Sequence, residues 1–226
     1  MAVHKSAITI VNRMGDYVGA ITTGNFQDFD SLVANAFNSI IDIVGDENRD
    51  FLERHCGEET QTTTSINSIA DKKVLRVMRD AGSSTYFECK KVERLEFEHA
   101  GQSNSLHQSD TLTPVFHISQ SNDGSIDLRV RPALSALLGN DALITYVDYF
   151  YKDLDVDDTI AAAHANLPAQ MEEALILAAC RDFMVFRLAD MSIDEEDNDV
   201  VVLYQTQLKS IDTKLNKELE RLKLAE

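Results

Sequence analysis

Apolar side chains recur along this chain in two rhythms, and the switch between them divides it. Ile10, Met14, Tyr17, Val18 and Ile21 fall at helical steps, which predicts a first helix capped by Ser6 and ended at Gly24. From about Asp30 a broader stripe of Leu32, Val33, Ala36, Phe37, Ile40, Ile41 and Val44 predicts a second helix stopped by Gly45. Asp46 to Cys56 reads as a short third helix, and the polar, Thr-rich stretch Gly57 to Ser68 as a connection.

At Lys73 the rhythm becomes strand-like. Val74, Leu75, Val77 and Met78 precede a turn at Ala81-Gly82, and Tyr86, Phe87, Cys89, Val92, Leu95 and Phe97 follow it as the second arm of a hairpin. After a polar loop, Gly101 to Thr113, a strand through Val115, Phe116 and Ile118 meets the turn signal Asn122-Asp123-Gly124. Ile126, Leu128 and Val130 then alternate with Asp127, Arg129 and Arg131 until Pro132, and Ala142 to Tyr151 supplies one more strand.

Helical spacing returns at Pro168, which suits a first helical turn because it has no N–H to leave unpaired. Met171, Ala174, Leu175, Ala178, Ala179, Phe183, Phe186 and Leu188 surround the next helix, so all its sides are expected to be covered. A last helix, Val200 to about Ala225, sets Tyr204, Leu208, Ile211, Leu215, Leu219 and Leu222 in one seam at steps of 4, 3, 4, 4 and 3. The expected fold is α+β: a helical bundle from the N- and C-terminal helices (1–68 and 153–226) with an inserted antiparallel β-domain (69–152).

Composition narrows what such a fold does. The 38 acidic residues outnumber 21 basic ones, and a net charge of −17 repels a phosphate backbone instead of releasing its counterions. Three widely spaced cysteines, Cys56, Cys89 and Cys180, cannot all pair within one chain and fit a reducing compartment. The opening residues lack a signal-peptide core, and no apolar run reaches the roughly 18–20 residues that span a bilayer, so no membrane is expected.

Searching for chemistry returns little. Phosphate-loop, dinucleotide and nucleophile-elbow motifs do not occur, and no two of the six histidines lie at the i, i+4 spacing of zinc hydrolases. Cys56 and Cys180 read as small core hydrophobes. Asp153, Asp155, Asp157 and Asp158, with His164, carry the one competing enzymatic reading, a metal-dependent hydrolase, yet lack the glycine and distant glutamate of an EF-hand. The acids Asp194 to Asp199 are accounted for by the positive end of the helix they precede. Hence no catalytic residue, metal or cofactor is expected. Asp127, Arg129 and Arg131 are candidates for salt bridges between subunits. Leu219, Leu222 and Leu224, with Lys217 and Arg221, are candidates for docking into a partner near the terminus.

In pattern and order across about 150 residues the chain resembles the head-to-tail adaptors, or connectors, of tailed bacteriophages. The resemblance rests on Lys73 to Met78 with Tyr86-Phe87-Glu88-Cys89, Pro114 to Ile118 with Gly124 and Arg129-Val130-Arg131-Pro132, and Ile144 to Tyr151. Leu167-Pro168 leading through Glu172-Glu173-Ala174-Leu175 and Ala178-Ala179 into the long last helix completes it. It implies a non-enzymatic virion subunit, made in the host cytoplasm and assembled as a homo-oligomeric, typically dodecameric, ring under the portal protein. Lys217 to Glu226 would then dock on the portal, tail or nozzle proteins would contact the insert, and genomic DNA would pass without specific binding. A tail terminator, a head-completion protein and an unrelated cytosolic scaffold are the alternatives.

Overall fold

The computed structural model describes residues 9–21, 29–53, 56–62, 65–66, 69, 71–82, 84–106, 108–120, 126–134, 141–150, 167–191 and 198–225. Ser6, Gly24, the Asn122-Asp123-Gly124 turn, Asp153 to Asp158, His164 and residues 194–197 lie outside them. The fold is α+β, with two compact units: residues 1–55 with 149–226 are helical, and residues 56–148 are sheet-rich.

In the helical unit, α1 (Ile10–Val18) is capped by Thr9, whose hydroxyl accepts the Asn12 N–H at 3.2 Å, and it ends at Gly19. Gly19 adopts φ +81°, a conformation open to glycine but costly to other residues. α2 (Phe29–Glu47) buries the expected stripe of Val33, Ala36, Phe37, Ile40, Ile41 and Val44. Gly45 does not stop it; the helix runs on to Glu47 and is followed by α3 (Arg49–Glu53).

After Pro168 and a 3₁₀ turn over Ala169–Met171 come α5 (Glu172–Met191) and α6 (Asn198–Lys223). α1, α2 and α6 all pack on α5, which leaves Ala174 to Cys180 without access to water. Burying a side chain such as Leu175 or Ile176 stabilises by about 1.5–3 kcal/mol, so α5 anchors this unit. Polar ties reinforce it: Arg13 bridges Glu172 and, at 2.6 Å, Glu173, and the Tyr17 hydroxyl donates to Glu173. Asn38 exchanges two hydrogen bonds with the Phe150 backbone, at 2.7 and 3.0 Å.

The sheet unit holds β1 (Gly57–Gln61), β2 (Ser65–Ile66), β3 (Lys72–Asp80), β4 (Tyr86–Glu88), β5 (Lys90–Lys91), α4 (Arg94–Ala100), β6 (Val115–Gln120), β7 (Ile126–Arg131) and β8 (Ala142–Asp148). They form two four-stranded sheets, β1-β8-β3-β4 and β2-β7-β6-β5. Val77, Ala142 and Ile144 of the first meet Phe116, Leu128 and Val130 of the second in one core. All pairings are antiparallel except the short β5–β6 ladder.

Three expectations fail here. Gly57 to Gln61 is not a connection but an edge strand paired to β8 along its whole length. Leu95 and Phe97 are not strand residues but belong to α4, which exposes Leu95 to water and turns Phe97 inward. The strand expected to reach Tyr151 ends at Asp148.

Candidate interaction surfaces

The end of α6 is fastened to its own unit. The Asn48 side-chain amide donates to the carbonyls of Leu222 at 2.8 Å and Ala225 at 2.9 Å, satisfying acceptors that a helix terminus leaves open. Lys223 reaches Glu47 at 2.8 Å, and Arg221 donates to the Gln170 carbonyl at 2.8 Å. Leu222 is 1% exposed and so belongs to the chain's own core instead of a docking surface. Leu219 is half-buried, Arg221 is also paired with Glu218, and Lys217 and Leu224 remain exposed. Of the expected docking set, therefore, Leu224 is the one leucine open to a partner.

The Arg221 to Gln170 contact places the end of α6 beside the start of α5, so the two helices run antiparallel. Their other ends are joined through residues 192–197, a link that can span no more than about 25 Å. At that end the expected all-round burial of α5 breaks down: Val185 and Phe186 are 51% and 47% exposed. Val202 and Leu203 of α6 are 59% and 64% exposed. Val202 and Leu203 fall off the Tyr204-Leu208-Ile211 seam, a signal already present in the spacing. Phe186 carries no such signal, because the sequence of its helix shows no polar face.

In the sheet unit, Asp127, Arg129 and Arg131 share the face of β7 turned away from the sandwich core. Asp127 is 6% exposed and contacts Arg129 at 3.4 Å. Arg131 meets Glu98 at 3.3 Å, and its guanidinium lies 4.6 Å from the centre of the Phe97 ring, a cation–π arrangement. Gly101 makes room for it, because a Cβ there would sit 0.9 Å from the Arg131 Nη1. These partners lie within the chain, and the structure does not assign them to a neighbour.

Between α4, the loop after it and β7 runs a groove of about 460 Å³. Phe97, Ala100 and Gly101 form one wall, Gln108 and Ser109 another, and Arg129 to Ala133 the third. Pro132 and Ala133 of that third wall are tied from behind by Arg79, 2% exposed, which donates to the carbonyls of Pro132 and Asp80 at 3.0 Å and of Ala133 at 3.4 Å. Burial lowers the Arg79 pKa from its ordinary value, and main-chain oxygens compensate the desolvated charge.

Burial pushes the thiols of Cys89 and Cys180 up to about 12, which keeps both protonated at neutral pH, while Cys56 is half-buried. Among the described residues no three His, Cys, Asp or Glu side chains gather as a metal-binding group, and no helix is long and apolar enough to cross a membrane. Compared with known proteins, the chain matches no family model, no curated protein and no solved structure.

Proposed function

We propose that this chain is a structural, non-enzymatic virion subunit that assembles with copies of itself into a ring joining a phage portal to the tail. The observation that carries this reading is the exposed apolar end of the α5–α6 pair. Among the described residues of this unit, Val185, Phe186, Val202 and Leu203 are left in water where the other large apolar side chains, Leu224 apart, are buried or half-buried, and such residues stabilise a molecule when another subunit covers them. The helical bundle with a β insert has the architecture that the resemblance implies. A net charge of −17 suits a conduit through which DNA slides without sticking. The portal contact falls to the exposed Lys217 and Leu224, since Leu222 is committed internally.

Light scattering on the full-length protein, alone and mixed with the portal encoded nearest to it, tests the reading. A closed ring or a stoichiometric portal complex is expected, and Phe186→Asp with Leu203→Asp should abolish it while leaving the circular dichroism unchanged. A monomer under both conditions sinks the proposal. Binding to a tail tube in place of the portal moves the protein to a tail terminator or head-completion role.

A further inference from the structure

α1 is fastened to its unit differently from the long helices. It has nine residues, below the roughly 12–15 at which a helix stands alone in water, so it is helical only while docked on α5. Two of its side chains, Ile10 and Met14, are buried, against nine buried residues in α2. Gly15 lies in its middle, where glycine weakens a helix relative to alanine, and no neighbouring element comes within 4 Å of the place an alanine methyl would take. The helix is thus weaker than its site requires.

Polar groups do much of the fastening. Arg13 spans Glu172 and Glu173 in the first turn of α5, the Tyr17 hydroxyl donates to Glu173, and the Gln207 amide of α6 donates to the Tyr17 carbonyl. Lys214 of α6 lies 5.0 Å from the centre of the Tyr17 ring. Two turns along α5 from Glu173, Cys180 is 0% exposed, its sulfur 3.7 Å from the Met14 carbonyl. Glu173 and Cys180 therefore share the face of α5 along which α1 lies.

We propose that α1 is a strap that leaves α5 in one piece while α2, α5 and α6 stay packed, and that the Arg13 clamp on Glu172 and Glu173 is its catch. Closed, the strap seals the face from Glu173 to Cys180; open, it uncovers that face and its thiol. Opening is cheap at the clamp, because Arg13, Glu172 and Glu173 already keep 14%, 34% and 33% of their side chains exposed and water takes over their hydrogen bonds. α2 would leave only by exposing its buried stripe, so the two helices differ in local stability. None of this depends on the ring reading.

Hydrogen exchange and N-ethylmaleimide labelling of the full-length chain, both resolved by peptide mass spectrometry at neutral pH, test the strap. In the wild type the α1 amides and the Cys180 thiol should share one protection factor, roughly tenfold or more below that of the buried α2 amides. Arg13→Gln should lower both by about tenfold and leave α2 unchanged. Gly15→Ala should raise both about four- to fivefold, a gain that misfolding cannot produce. Cys89, buried in the sheet unit, should be unmoved by either change. Exchange of α1 that keeps pace with α2 in the wild type and in Arg13→Gln overturns the strap, because α1 then opens only with the whole unit. Fast α1 exchange beside a Cys180 that stays protected overturns the seal, and an Arg13→Gln chain that behaves as the wild type overturns the catch.

Discussion

The two units bury their charged groups in different ways and carry unequal net charge. Residues 1–55 and 149–226 carry 25 acidic against 12 basic residues, a net of −13, and residues 56–148 carry 13 against 9, a net of −4, together the whole −17. The helical unit neutralises its inner charges with carboxylate–cation pairs such as Arg13 with Glu172 and Glu173. The sheet unit holds its most buried described cation, Arg79, with main-chain carbonyls. Most of the anionic surplus thus lies in the sequence of the helical unit, and the sheet unit is closer to neutral.

The largest expected effect breaks the helical side. Leu175→Ala removes a fully buried side chain at the centre of α5 and should cost about 3 kcal/mol, read as a lowered thermal midpoint in circular dichroism at 222 nm. Arg79→Ala acts on the other side. It leaves three carbonyls without their donor and should cost about 2 kcal/mol, with hydrogen exchange by mass spectrometry rising around residues 126–134 but not in α5. Uniform exchange across both units would show that the two do not respond independently.

Asn48→Ala is smaller, about 1 kcal/mol, and local: amide exchange should quicken in the last turn of α6. The smallest effect near neutrality is that of pH, and it sharpens the comparison only in alkali. Burial, followed by Glu173, raises the Tyr17 pKa to about 12, and burial with Asp42 raises that of Tyr149. A raised folded pKa means that the folded state holds the proton more tightly, so stability is intact below pH 10 and falls as pH climbs from 10 through 12. Denaturant midpoints measured from pH 8 to 12 should drop over that window, and a flat profile would contradict these environments.

Legibility followed the strength of periodic burial. The stripe of α2 and the seam of α6 were readable because each packs one face on a neighbour, and β7 because its alternate residues enter the sandwich. β1 was not: Gly-Glu-Glu-Thr-Gln has no apolar residue, since an edge strand paired on one side is held by its ladder alone. Leu95 and Phe97 mimicked a strand because two apolar residues at one spacing of two cannot distinguish the periods, while the intervening Glu and the Arg, Glu and Ala around them favour helix. Asp127, Arg129 and Arg131 were visible as an alternating charged face, but the groove beside them was not, because its remaining walls come from α4 and the loop twenty or more residues earlier.

The pairing of β1 with β8 also bears on how the chain is put together. Gly57, almost the first residue of the sheet unit, is the register partner of Tyr146, almost its last. Antiparallel partners lie about 5 Å apart, so the polypeptide leaves the helices and returns to them through a doorway one strand spacing wide. Seen from the helical side, the whole sandwich is the equivalent of a tight turn. The insert is therefore a cassette, removable or exchangeable without stretching its host, and the cost of closing so long an excursion is met within the cassette by its own strands.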